Sequence, residues 1–174
     1  QKRELFPCFF GSALKMDGID ELLAALSEYT KIPDYPEKFG ATVFKITRDA
    51  GGSRLTHLKV TGGTLKARNL LTGYKQNKED DIWEEKVNQI RIYSGEKFET
   101  QDEVKAGTIC AVTGLSYTYP GEGLGIQTES ELPILEPVLT YELILPEGVQ
   151  PQAMMPKLTM LEEEDPELHI VWNE

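Results

Sequence analysis

The sequence predicts a mainly β, antiparallel chain: a closed barrel or sandwich flanked by an N-terminal strand and helix and by a C-terminal β-α-β piece. Three observations carry that prediction. Residues 41–47 and 55–61 alternate apolar with polar side chains at period two. Glycine pairs punctuate them, Gly51-Gly52 inside RDAGGSR and Gly62-Gly63 ahead of TLKARNLL, where tight reversals need positive φ. Further short apolar runs follow at residues 85–93 (EKVNQIRIY) and 108–115 (TICAVTGL), a spacing typical of barrels and sandwiches.

In chain order, residues 5–10 read as a short apolar strand. Residues 18–29 read as an amphipathic helix with Ile19, Leu22, Leu23 and Leu26 on one face. Pro33 and Pro36 stiffen a linker that stops the helix. The β core spans residues 39–131, with FETQDEVKAG expected as a loop ending in a glycine turn. EPVLTYELILPEG then offers Val138, Tyr141, Leu143 and Leu145 as a strand, residues 150–165 have helical spacing at Met154, Leu158 and Leu161, and ELHIVW is strand-like again. Two strands and one helix bury too little by themselves, so this last unit reads as half of another domain. The expected divisions are residues 1–30, a linker at 31–38, a barrel at 39–136 and the β-α-β piece at 137–174. The chain opens without Met, almost directly on a strand, which suggests a piece of something longer.

The formal net charge is −11, but it is unevenly spread. Residues 39–78 hold eight basic side chains against the single acid Asp49, a net of +7, leaving −18 for the remainder. A basic segment inside an acidic chain is a candidate for polyanion contact; solvated strand faces are the bland alternative. Cys8 and Cys110 lie in apolar runs and read as small buried thiols. No apolar run approaches the roughly 20 residues of a membrane span, and no secretory leader is evident, which points to a cytoplasmic chain without membrane contact; a monomer is expected as well.

The motifs are mostly negative. GSALK lacks the last glycine of a nucleophile elbow and the Gly-Lys-Ser/Thr of a phosphate loop, leaving helix capping by Ser12 or Asp17, or a base-recognition loop of backbone N–H groups. PGEGLG has no helix behind it and reads as a flexible loop rather than a dinucleotide fingerprint. The run Glu162-Glu163-Glu164-Asp165 reads as a solvated helix end, and His57 and His169 lack companions at metal-ligand spacing. Trp83 and Trp172 read as core or interface anchors. The basic strands lack the interleaved aromatics of single-strand binders, which favours phosphate over base contact.

Taken together, PCFFGSALKMDGIDELLAALSEY, FGATVFKITRDAGGSRLTHLKVTGGTLKARNLL, EKVNQIRIYSGEKFE, VKAGTICAVTGL and LEEEDPELHIVW resemble the translational GTPases of the elongation factor G superfamily. The likeness extends most to the tetracycline ribosomal-protection proteins of the Tet(M)/Tet(O) type. It implies that residues 1–30 are the last strand and helix of a GTPase domain, with Ser12, Ala13 and Leu14 the remnant of the loop beside guanine. It implies a translation-factor β-barrel of the second-domain type at residues 39–136, and the first half of a ferredoxin-like third domain after it. It also implies GTP and Mg²⁺ as cofactors, and small-subunit ribosomal RNA as partner, of the longer parent.

The P-loop, switches and Asn-Lys-x-Asp motif do not occur in this sequence. The chain is therefore expected to have no catalytic residues, no metal site, and no GTP binding or hydrolysis of its own. The expected RNA contacts are Arg54, Lys59, Lys66 and Arg68, with Arg48 and His57 beside them. The alternative from another class is a protein-interaction barrel with no direct RNA contact.

Overall fold

The computed structural model describes residues 6–31, 33–75, 78–127 and 138–171, the side chains of 78–80 excepted. It divides into two units, Gln1–Asp34 and Tyr35–Glu174.

In the first unit, helix α1 (Ile19–Tyr29) forms where the periodicity places it. Gly18 precedes it at φ 73°, and Asp20 and Glu21 complement the positive end of the helix dipole. Thr30 closes it by donating its N–H, 3.1 Å, and its hydroxyl to the Leu26 carbonyl. The expected apolar stripe stays exposed at Leu22, Leu23 and Leu26, and Ala25 is the buried residue. No strand forms at residues 6–10, which are exposed and irregular. A strand needs a neighbour for its backbone ladder, and no described strand pairs with this segment. Cys8, expected to be buried, is exposed for the same reason.

The second unit is built from β1 (Gly40–Arg48), β2 (Arg54–Gly62), β3 (Thr64–Lys66), β4 (Leu70–Lys75), β5 (Lys78–Lys86), β6 (Gln89–Ser94), β7 (Lys97–Gln101), β8 (Glu103–Lys105), β9 (Ile109–Thr113) and β10 (Gly123–Gly125). An antiparallel sheet in the order β10-β1-β2-β9-β6-β7 is joined by the pairs β3-β8 and β4-β5. Its core includes Ile46, Leu58, Leu65, Trp83, Ile90 and Leu124. Cys110 is buried there, and burial pushes its thiol up to about 12. This is the mainly β, barrel-like fold that the alternation predicts.

The elements within it differ from expectation in instructive ways. Residues 85–93 are two strands, because the chain leaves the β4 pairing and joins β9. At that corner buried Val87 donates its N–H to the Asn69 carbonyl, and Asn88 to that of Thr113. FETQDEVKAG is no loop but β7 and β8. PGEGLG contains β10, which pairs with β1 and is confined to glycine at position 125 by φ 67° and the nearby Phe39 carbonyl. Helix α2 (Pro151–Glu164) forms as expected, but residues 138–150 and 169–171 make no strand, being exposed with no described partner strand to pair with. Of the β-α-β piece, the described residues hold only its helix; Trp172 lies outside them.

Candidate functional site

The basic segment folds into β1 to β4, and the structure sorts its side chains into three places. Arg54, at the start of β2, is turned inward and only 12% exposed. Its Nη1 lies 2.9 Å from both the Leu115 carbonyl and Thr118 Oγ1, its Nη2 donates to the Thr118 carbonyl, and its Nε donates to Glu163 Oε2 at 3.2 Å. Arg48 Nη2 donates to the same Glu163 oxygen at 2.8 Å, with Glu164 4.0 Å from its Nε. These two arginines, expected on RNA, are committed to internal partners. The acidic run is correspondingly not a free solvated end: Glu163 clasps both arginines, Glu162 accepts from the Ile170 N–H at 2.8 Å, and the Asp165 carboxylate accepts from the Glu167 N–H at 3.2 Å.

Lys66 and Arg68 occupy a second place, the end of β3 and the turn after it. Lys66 and Arg68 are both exposed. Lys66 lies 3.6 Å from the Glu103 carboxylate across the β3-β8 pair, an exposed contact of little energetic weight. Arg68 sits at φ 69°, a left-handed conformation fixed by its N–H donating to the Val87 carbonyl at 2.8 Å.

The third place is the outer face of the six-stranded sheet, which carries His57 and Lys59 from β2. A β-bulge in β1 shifts the register between Val43 and Lys45, so that Phe44 and Lys45 are both exposed while Val43 and Ile46 are buried. Lys45 is opposite His57, whose Nε2 lies 2.7 Å from Thr47 Oγ1. Burial, helped by the charge of Lys45, lowers the affinity of His57 for a second proton. Across the sheet, His57 and Arg91 both pair with Ala111, the small buried residue of β9. Arg91 donates to Asp49 Oδ2 at 3.0 Å and lies 4.4 Å from the Phe98 ring centre. A hollow of about 430 Å³ lies on this face, with Thr47, Leu55, His57, Arg91, Tyr93 and Phe98 in its lining.

The predicted guanine-loop residues stand in the first unit. Ser12 and Asp17 exchange backbone hydrogen bonds of 2.9 and 3.1 Å around a 3-10 turn, Ala13–Lys15, and Leu14 is fully exposed at its tip. Ser12 makes no side-chain cap. Among the described residues no cluster of three or more His, Cys, Asp or Glu side chains has metal-binding geometry, and no helix is long and apolar enough to cross a membrane.

Sequence reasoning missed the acid beneath the barrel's glycine-rich strand. Glu122 is buried, accepts from Trp83 Nε1 at 3.1 Å and from the Tyr119 N–H at 3.3 Å, and is pushed up to about 7 by burial. The signal was the acid within PGEGLG, read only as loop.

A family model described as elongation factor G domain 2 matches residues 38–125, just over half of the chain. An elongation factor G of Ureaplasma parvum serovar 3 is 29% identical over 197 residues, covering 98% of this chain and 28% of its own. That of Mycoplasma genitalium is 29% identical over 94% of this chain and 26% of its own, and that of Amoebophilus asiaticus 28% identical over 97% and 26%. The chain thus spans about a quarter of the length of the curated relatives it matches.

Proposed function

The chain belongs to the elongation factor G domain 2 family, and from that premise we propose that its barrel anchors a translational GTPase to the ribosome through phosphates of small-subunit RNA. The supporting observation is the set of cations that the barrel presents, Lys45 and Lys59 on the outer sheet face and Lys66 and Arg68 at the end of β3, in a protein whose net charge is otherwise strongly negative. Arg48 and Arg54 leave the contact set because Glu163 and the Thr118 region hold them. GTP with Mg²⁺ belongs to the whole protein in this reading, and so does a cytoplasmic location. The remnant loop Ser12, Ala13 and Leu14 would form one wall of the guanine pocket there. A monomeric chain that binds no GTP unaided is part of the same proposal.

Charge reversal at Lys66 and Arg68 in the full-length protein tests it. Ribosome binding should weaken, and the slope of log K against log salt should fall by about one for each phosphate no longer engaged; unchanged binding would count against the proposal and leave the protein-interaction barrel in its place. The likeness of the quoted motifs to the ribosomal-protection proteins supports a finer reading, in which the whole protein releases tetracycline. Expression of the full-length gene in a sensitive bacterium should then raise tetracycline resistance, and no change in resistance would leave the elongation-factor reading alone.

A further inference from the structure

The outer sheet face gathers aromatic rings that are scattered in the sequence. Phe44, His57, Tyr93 and Phe98 come from β1, β2, β6 and β7, and they run across the face with successive ring centres 6.1, 6.2 and 5.3 Å apart. β9 lies between β2 and β6, yet His57 and Tyr93 still approach each other because the β9 residue between their strands, Ala111, carries only a methyl group. Phe44 and Phe98, at the two ends of the row, are 49% and 45% exposed although large and apolar.

Such a row is costly to leave in water and is not closed by any described part of the chain. Its chemistry selects the occupant. Successive rings are tilted between 42° and 52° to one another rather than laid flat; aromatic side chains gathered on a strand-built face are what unpaired bases stack on, whatever their sequence. The charges agree: exposed Lys45 and Lys59 stand beside the row, and Asp49, one of the two acids lining the hollow, is neutralised by Arg91, which itself backs the Phe98 ring. Glu96, which is exposed, is the remaining acid in the lining.

We propose that the Phe44-His57-Tyr93-Phe98 face is a stacking platform for unpaired bases of an RNA strand, whose phosphates Lys45 and Lys59 engage. The proposal rests on the RNA-anchoring function above and adds to it a preference for single-stranded over duplex RNA.

The test is fluorescence anisotropy of the 174-residue chain with a labelled short oligoadenylate and with an A-form RNA duplex of similar length. Phe44→Ala and Phe98→Ala should each weaken oligoadenylate binding about fivefold or more and leave duplex binding unchanged, while Lys59→Ala should weaken both. Both phenylalanines are half exposed, so their removal opens no cavity in the core; unchanged thermal unfolding checks this. An oligonucleotide carrying 4-thiouridine supplies a readout without variants, with photocrosslinks expected on peptides containing Phe44, Tyr93 or Phe98. If the phenylalanine variants bind like the parent while Lys59→Ala weakens both RNAs, the platform is overturned and the phosphate reading stands. If neither RNA binds, both fall. Crosslinks confined to other surfaces also overturn the platform.

Discussion

Trp83 on β5 and Glu122 just before β10 meet inside the barrel, the indole Nε1 donating to the carboxylate Oε1 at 3.1 Å. A Cβ at Gly73 would overlap both groups, so position 73 must be glycine for the pair to form.

Burial of Glu122, which the Trp83 hydrogen bond only partly offsets, makes stability depend on pH in an uncommon direction for an acid. Burial raises the folded-state affinity of Glu122 for its proton, from an ordinary 4.5 to about 7. The folded state therefore binds the proton more tightly than the unfolded state, and this contribution is complete below pH 4.5 and lost as pH rises through about 7. The loss is on the order of 3 kcal/mol. Urea unfolding at several pH values should show this decline, and Glu122→Gln should flatten it.

Arg54 ties β2 to the Leu115–Thr118 segment and to Glu163 of helix α2. Arg54→Ala leaves the Leu115 and Thr118 carbonyls and the Thr56-Thr118 hydroxyl pair without their donor, at a cost of about 2 kcal/mol. Thermal unfolding should register this, while the salt slope of RNA binding stays unchanged. Lysine should rescue only part of the stability, since one ammonium cannot span the same fork of acceptors.

At Arg68 the backbone and the charge can be separated. The left-handed φ of 69° penalises any residue with a Cβ. Arg68→Gly should be about 1 kcal/mol more stable than Arg68→Ala in chemical denaturation, yet the two should lose the same increment of salt-dependent RNA binding.

The two thiols should differ sharply in reactivity. Exposed Cys8 should be modified by a thiol reagent in the folded protein at about pH 8, and buried Cys110, pushed up to about 12, only on unfolding. Titration with and without denaturant distinguishes them.

What the sequence disclosed and what it withheld divide along physical lines. Alternation with glycine pairs and helical spacing of apolar residues are local signals; the first located β1 and β2, the second both helices, to within a few residues. The fate of individual side chains is not local. Strict alternation would put Phe44 with Ile46; one bulged residue sends them to opposite faces. Arg54 looks like any surface cation until the chain returns through Thr118, sixty-four residues later, to enclose it. The aromatic row was illegible for the same reason, since its rings come from strands neighbouring only in the fold. The sparse aromatics within each basic strand argued against base contact, and the folded face argues for it.

The pairing of β1 with β10, Gly40 against Gly125, joins the two extremes of the barrel's sequence. That ladder is three residues long, so it contributes little until the rest of the core is in place to hold it. Forming it also requires nearly the whole intervening chain to be gathered, an entropic cost that local hairpins avoid. The barrel should consequently fold slowly, in milliseconds to seconds as proteins dominated by distant pairings do. During synthesis, the β1 edge must wait unpaired until the glycine strand emerges.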